Sequence, residues 1–264
     1  MPVLGLLRGF GAWFFRAVLV LLILSAVMMT AASHLTSEQF MKPAMKEMIA
    51  QQIRGNAFDE TYEEITSRCG TEGKEILEFQ FELTNSTIKI SCVELEQKSE
   101  EEGKEYLIEI FAGQIADSMF KEVYYKKVCE GMECFEKIKT VDDPTKLITA
   151  DFNKFLKSTV KFLVALAVIA ALGVVLLSKG ISGRIFGLGY PLLIAGLPYF
   201  GISIVKAKLV EMFPARVYFL ITELTTLLAG IYLKILISGA VLLALGLVMK
   251  FIGKRREKKK GKKK

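Results

Sequence analysis

Residues Ala17 to Ala32 read AVLVLLILSAVMMTAA without a charge, and three more apolar stretches begin at Thr159, Ile185 and Val217. A chain of 264 residues has no soluble core large enough to hide four such segments, so the solvent they require is a lipid bilayer. A hydrophobic content of 52% and a mean hydropathy of +0.39 agree with membrane spans rather than an ordinary soluble domain.

As a helix the first run rises about 24 Å, short of a roughly 30 Å hydrocarbon core. Trp13, Phe14 and Phe15 extend it as an interfacial belt, giving an N-terminal segment 1–16 and a first span 17–33. A cleaved signal peptide is the rival, because Ala31, Ala32 and Ser33 are small; the n-region is long for a signal, so an uncleaved anchor is expected. The second span covers 158–178, where Ala167 and Ala171 offer a small face for close helix contact. The third covers 185–205 and holds Pro191 and Pro198 among several glycines, so helix kinks are expected at both prolines. Val217 to Ile252 is too long for one span and too short for two. The reading divides it into an outer loop 206–229 with an interfacial amphipathic helix, then a fourth span 230–252. A re-entrant hairpin is the alternative for the first part.

Charge sets the orientation. Residues 34–157 hold 25 of the 28 Asp and Glu but only 16 of the 35 Lys and Arg, a net −9; the remainder carries +16. Arg8 and Arg16, the 179–184 connector with Lys179 and Arg184, and the tail 253–264 all fall on one side of a four-span arrangement. The positive-inside rule makes that side cytoplasmic, with both termini inside and the acidic loop outside. The tail residues Lys254, Arg255, Arg256, Lys258, Lys259 and Lys260 point to anionic lipid headgroups. No aromatic residue follows Phe251, so nucleic acid is not expected as a partner.

The exported loop 34–157 contains Cys69, Cys92, Cys129 and Cys134, the chain's only cysteines. Confinement to one loop is how disulfides distribute in an oxidising compartment, and Cys69–Cys92 with Cys129–Cys134 is the favoured pairing. Alternation at Phe79, Phe81 and Leu83, then at Ile88, Ile90 and Cys92, predicts a β-hairpin. Asn85-Ser86-Thr87 at its turn is an N-glycosylation sequon. Helices are predicted from Ser37, as a cap, to about Arg54; along the stripe Leu107 to Val123; and from Asp143-Pro144 into the second span. The expected fold is thus a multi-pass α-helical membrane protein of four transmembrane helices. A disulfide-containing α+β extracytoplasmic domain is inserted between spans one and two.

Chemistry is sparsely represented. The single His34 leaves no Ser–His or Cys–His nucleophilic pair to expect. The domain has neither CxxC nor histidine clusters for zinc, and Glu100-Glu101-Glu102 lacks EF-hand spacing and reads as a solvated turn. No catalytic residue, cofactor site or metal site is therefore expected.

The first-span anchor, the hairpin with Cys69 and Cys92, the run FKEVYYKKVCEGMEC (Phe120–Cys134) and three later spans resemble a group of uncharacterised four-span membrane proteins of small-genome archaea. That resemblance implies topology and no activity. Two roles are expected from the residues. The first is a non-enzymatic envelope protein whose ectodomain binds a protein partner or builds a homo-oligomer. The second is a channel or transporter subunit using the Pro/Gly-rich third span.

Overall fold

A computed structural model describes residues 2–55, 58–73, 75–81, 86–126, 149–212 and 218–261. The chain divides into two compact units, Met1–Ser33 with Leu156–Lys264, and His34–Phe155.

The unit His34–Phe155 is built on a long central helix. Its elements are α2 (Glu38–Gly55), α3 (Phe58–Glu72), β1 (Ile76–Phe81), β2 (Ser86–Ser91), α4 (Cys92–Glu96) and α5 (Glu100–Tyr124), preceded by the end of α1 (Pro2–Leu35). The hairpin exists as predicted, antiparallel with Phe79 opposite Ile88 and Leu77 opposite Ile90. Cys92 keeps the inward phase of that alternation but opens α4 instead of ending the strand. Helix α5 has two apolar stripes. Leu107, Phe111 and Ile115 pack with Ile65, Leu77, Ile88, Ile90 and Leu95 from α3, the hairpin and α4, whereas Ile108 and Ala112 meet Ala50 of α2. The spacing of four within each stripe stacks side chains one turn apart on a single face. Gln114 of α5 also takes one rung of a third strand. Its Oε1 accepts from the Lys89 N–H (3.1 Å) and its Nε2 donates to the Lys89 carbonyl (3.0 Å). That satisfies backbone groups on an open sheet edge.

Two local expectations are corrected here. Ser37 precedes α2, but its hydroxyl donates to the His34 carbonyl (2.6 Å) and does not cap the helix. Glu100-Glu101-Glu102 is not a solvated turn but the first turn of α5. Ser99 and Glu102 form a reciprocal capping box there: the Ser99 side chain accepts from the Glu102 N–H, and the Glu102 carboxylate accepts from the Ser99 N–H. Three carboxylates at a helix N-terminus also complement its dipole. Ser99→Ala is expected to lower the thermal stability of this unit by about 1 kcal/mol. Hydrogen exchange should quicken at residues 100–104 first; unchanged exchange there would show the cap to be unimportant. The Ser99 groups also hold the Glu102 carboxyl below its ordinary value of 4.5. Its contribution is therefore present above that pH and lost as acidification passes through the lower folded value.

In the other unit, α1, α6 (Ala150–Leu177), α7 (Gly180–Gly196), α8 (Tyr199–Met212) and α9 (Tyr218–Gly261) supply four segments long and apolar enough to cross a membrane: Gly9–Leu35, Ala150–Leu177, Gly180–Leu209 and Leu220–Ile252. Only 11–22% of each segment's most apolar window is buried inside the protein. Phe162, Ile169, Leu172, Leu176, Ile204 and Val241 all face outward. Water does not tolerate an apolar surface of that extent, and a hydrocarbon surround does.

The packing of α7 on α9 follows a regular antiparallel register. Cβ atoms built at the glycines identify four layers: Gly196 against Leu236, Leu193 against Gly239, Gly189 against Leu243, and Phe186 against Gly246. On each helix the steps between layers are three, four and three residues, the 3.5-residue period of a left-handed coiled pair. Every layer sets one glycine against one large residue, and the glycine alternates between the two helices from layer to layer. Small residues of this kind let membrane helices approach to backbone contact. On α6 the close contacts fall at Gly173, against the Phe15 ring of α1, and at Val174, against Gly187 of α7. Ala167 and Ala171, the face expected from the sequence, are only half-buried.

Candidate functional site

Cys69 and Cys92 are joined, with Cα atoms 5.4 Å apart, and both sit in the core of the unit His34–Phe155. The bond ties the end of α3 to the start of α4, beside the Cys92 N–H that bonds the Glu75 carbonyl (3.0 Å). Cys129, Cys134, the glycosylation candidate Asn85 and the Asp143-Pro144 helix start lie outside the described residues. The described start of α6 is instead capped by Thr149, whose hydroxyl accepts from the Phe152 N–H (3.3 Å). Asn153 then bonds Thr36 (2.9 Å), tying that turn to the segment before α2.

Charges on this unit are paired across its surface. Lys42 meets Asp117 (2.9 Å), Lys46 meets Glu109 (3.5 Å), and Arg54 reaches both Glu47 and Glu105. Lys104 lies between Asp59 (2.9 Å) and Glu100 (2.7 Å) over the Tyr62 ring, and those two carboxylates hold its pKa above the ordinary lysine range. Burial first, and then the hydrogen bond to Glu94 (2.7 Å), push the Tyr106 hydroxyl to about 12. These pairs are exposed, so each stabilises the fold only slightly. They decorate a surface and do not converge on a cleft. Among the described residues no group of three or more His, Cys, Asp or Glu is arranged to hold a metal ion. His34, the lone histidine, packs against Phe40 with ring centroids 5.5 Å apart.

The two prolines behave differently. Pro191 is buried inside α7, which continues through it. Pro198 lies in the break between α7 and α8, where the Leu197, Phe200 and Gly201 amides turn back to carbonyls three residues earlier. A pyrrolidine without an N–H explains a break there, whereas the Pro191 ring is held within the glycine-lined packing of α7. Beside the break, α8 and α9 enclose a cavity of 360 Å³ whose polar lining is Tyr199, Ser203, Lys206, Thr225 and Thr226. Thr225 already donates to the Ile221 carbonyl (2.7 Å), so its hydroxyl can offer a ligand only an acceptor. The interfacial helix read at 206–229 is not separate from the span. Its second half is the start of α9, which runs unbroken from Tyr218 to Gly261 and reaches Lys254, Arg255, Arg256, Lys258, Lys259 and Lys260 as helix. No breaker occurs at 229–230 to divide it, because Gly230 has open space around it and stays helical.

The feature missed by sequence reasoning is the glycine repeat. Gly189 and Gly196, and likewise Gly239 and Gly246, are seven residues apart, and that matching heptad was the available signal. Compared with protein-family models, curated proteins and solved structures, the chain matches none.

Proposed function

We propose that the chain is a non-enzymatic, multi-pass protein of the cell envelope that displays residues 34–157 outside the membrane for binding a partner or a second copy. One contrast carries this reading. The unit His34–Phe155 has its own core and disulfide, and 25 of the 28 acidic residues lie within 34–157. The α7–α9 seam, by comparison, is a dry series of Gly, Leu and Phe layers. A disulfide suits an oxidising compartment, and the basic segments at Arg8, Arg16, 179–184 and 253–264 suit the cytoplasmic side. The tail then lies against anionic headgroups. The second reading, a channel or transporter subunit, draws on the cavity of 360 Å³ beside Pro198 and its Lys206.

Three measurements test this. A cysteine placed at Ser182 is expected to react with an impermeant thiol reagent only after the membrane is opened, and one at Glu101 to react in intact cells. The opposite pattern would reverse the orientation. In proteoliposomes no selective ion or solute flux is expected, while inter-chain crosslinks in native membranes should concentrate on lysines within 34–157. A selective flux that Pro198→Ala abolishes, in protein that still folds, would replace the binding reading with transport.

A further inference from the structure

Helix α1, the end of α6 and the start of α7 enclose a second cavity, of 260 Å³, lined by Gly9, Ala12, Arg16, Ser178, Lys179 and Gly183 among others. Among the described residues, two side-chain atoms here are buried without a hydrogen-bond partner: Arg16 Nε and Ser178 Oγ. Ser178 is only 6% exposed, so its hydroxyl has no solvent to turn to. Native proteins rarely leave such groups unsatisfied, and a missing ligand is one physical reason for them. The Ser178 hydroxyl and the Arg16 guanidinium both approach the bare backbone of Gly187. A Cβ there would lie 2.9 Å from Ser178 Oγ and 3.4 Å from an Arg16 terminal nitrogen.

The third element is the N-terminus of α7, a helix of 17 residues. Its N-cap, Lys179, makes no side-chain cap hydrogen bond, and Gly180 beside it has φ 68°. The first turn therefore offers backbone N–H groups and the positive end of a helix dipole beside the cavity. The chain segments that form the cavity carry no carboxylate to compete for these donors. The sequence has no Asp or Glu in 1–33 or in 156–210. Glu257 lies eleven residues past Gly246, the partner of Phe186, or about 16 Å further along α9.

We propose that this cavity binds a phosphoryl oxyanion, with Arg16, Ser178, Lys179 and the first turn of α7 as its donors. The three polar side chains that line it, Arg16, Ser178 and Lys179, can all donate, and two of them are cationic. A guanidinium edge of Nε and a terminal nitrogen matches two oxygens of a tetrahedral anion. The hydroxyl and helix amides take the others. A basic pocket between membrane helices is also the setting in which lipid phosphates are held. The phosphoryl group could belong to a lipid headgroup or a soluble compound, and the experiment separates the two. The site stands independently of any role for residues 34–157.

The full chain is purified in mild detergent and compared with Arg16→Gln, Ser178→Ala and Arg184→Gln. The last removes the same charge from an exposed position that does not line the cavity. Binding is read by thermal shift with inorganic phosphate, and by native mass spectrometry after exchange into nanodiscs of phosphatidylcholine with or without phosphatidic acid. Arg16→Gln is expected to weaken binding at least tenfold and Ser178→Ala severalfold, with Arg184→Gln unchanged. Phosphate binding without lipid retention would identify a soluble ligand, and retained phosphatidic acid a lipid one. Ser178→Ala also removes an unpartnered buried hydroxyl, so the ligand-free protein should melt no lower than the parent while losing ligand stabilisation. This keeps the test decisive if Arg16→Gln does not fold. Equal weakening by Arg16→Gln and Arg184→Gln, or no Arg16-dependent binding of either probe, would overturn the proposal.

Discussion

Gly239→Ala is expected to separate α7 from α9 and to destabilise the membrane unit more than any other single-methyl addition on these helices. A Cβ at 239 would stand 2.4 Å from the Leu193 amide nitrogen and 2.8 Å from its Cα. These are backbone atoms, which cannot rotate away as a side-chain tip can. Overpacking usually costs about 1–3 kcal/mol, and a clash with fixed atoms belongs at the top of that range or beyond it. Gly196→Ala should behave alike, since its Cβ would meet Leu236 N and Cα at 2.6 Å. Gly201 and Gly230, also helical, have nothing within 4 Å of a built Cβ. Alanine there should be neutral or slightly stabilising through helix propensity.

Paired variants separate backbone contact from side-chain contact. At Gly246 the obstacle is the Phe186 ring, 3.0 Å from a built Cβ. Phe186→Ala should therefore restore room for Gly246→Ala, and the two changes should be non-additive. Leu193→Ala should not rescue Gly239→Ala, because the obstructing atoms remain. Thermal unfolding in detergent reads both effects. A Gly239→Ala protein as stable as the parent would refute the α7–α9 register.

How much of this was legible in the sequence depends on which force shaped each element. The four apolar segments were plain, because hydrocarbon contact needs only length and absence of charge. The hairpin was legible because Phe79, Ile88, Ile90 and Cys92 alternate, and the Cys69–Cys92 bond joins its two flanks. The start of α5 was misread: three glutamates look like a solvated turn until Ser99 is seen to cap them. The sequence suggested a division within α9 because Glu223 and Lys234 resemble span boundaries. Both nonetheless lie within one helix, and Lys234 is exposed. Of the cavity between α1 and α7, only the charges were visible. Arg16 and Lys179 are 163 positions apart, and the antiparallel contacts of Gly11 with Leu177 and Phe15 with Gly173 bring their helices together.

Replacing Cys69 and Cys92 together by alanine is expected to cost the unit His34–Phe155 about 3 kcal/mol. The sequence separation is 23 residues, and closing a loop of that length removes entropy from the unfolded chain of this order. Alanine is the informative choice. The two cysteines are 3% and 2% exposed, so serine would add two buried hydroxyls and confound the measurement. A loss of this size corresponds to roughly 10–15 °C in Tm for a domain of about 120 residues. Hydrogen exchange should locate it. The β1 and β2 amides and the first turn of α4 are expected to lose protection first, because the bond fixes both ends of the segment they belong to. Protection along the α7–α9 seam should not change, since those helices belong to the other compact unit. Reducing agent should lower the parent protein's stability by at least this amount, and any effect it has on the double variant would report on Cys129 and Cys134. Equal melting of parent and double variant, with β1 and β2 still protected, would mean that the hydrophobic core alone holds the hairpin and that the bond contributes nothing measurable.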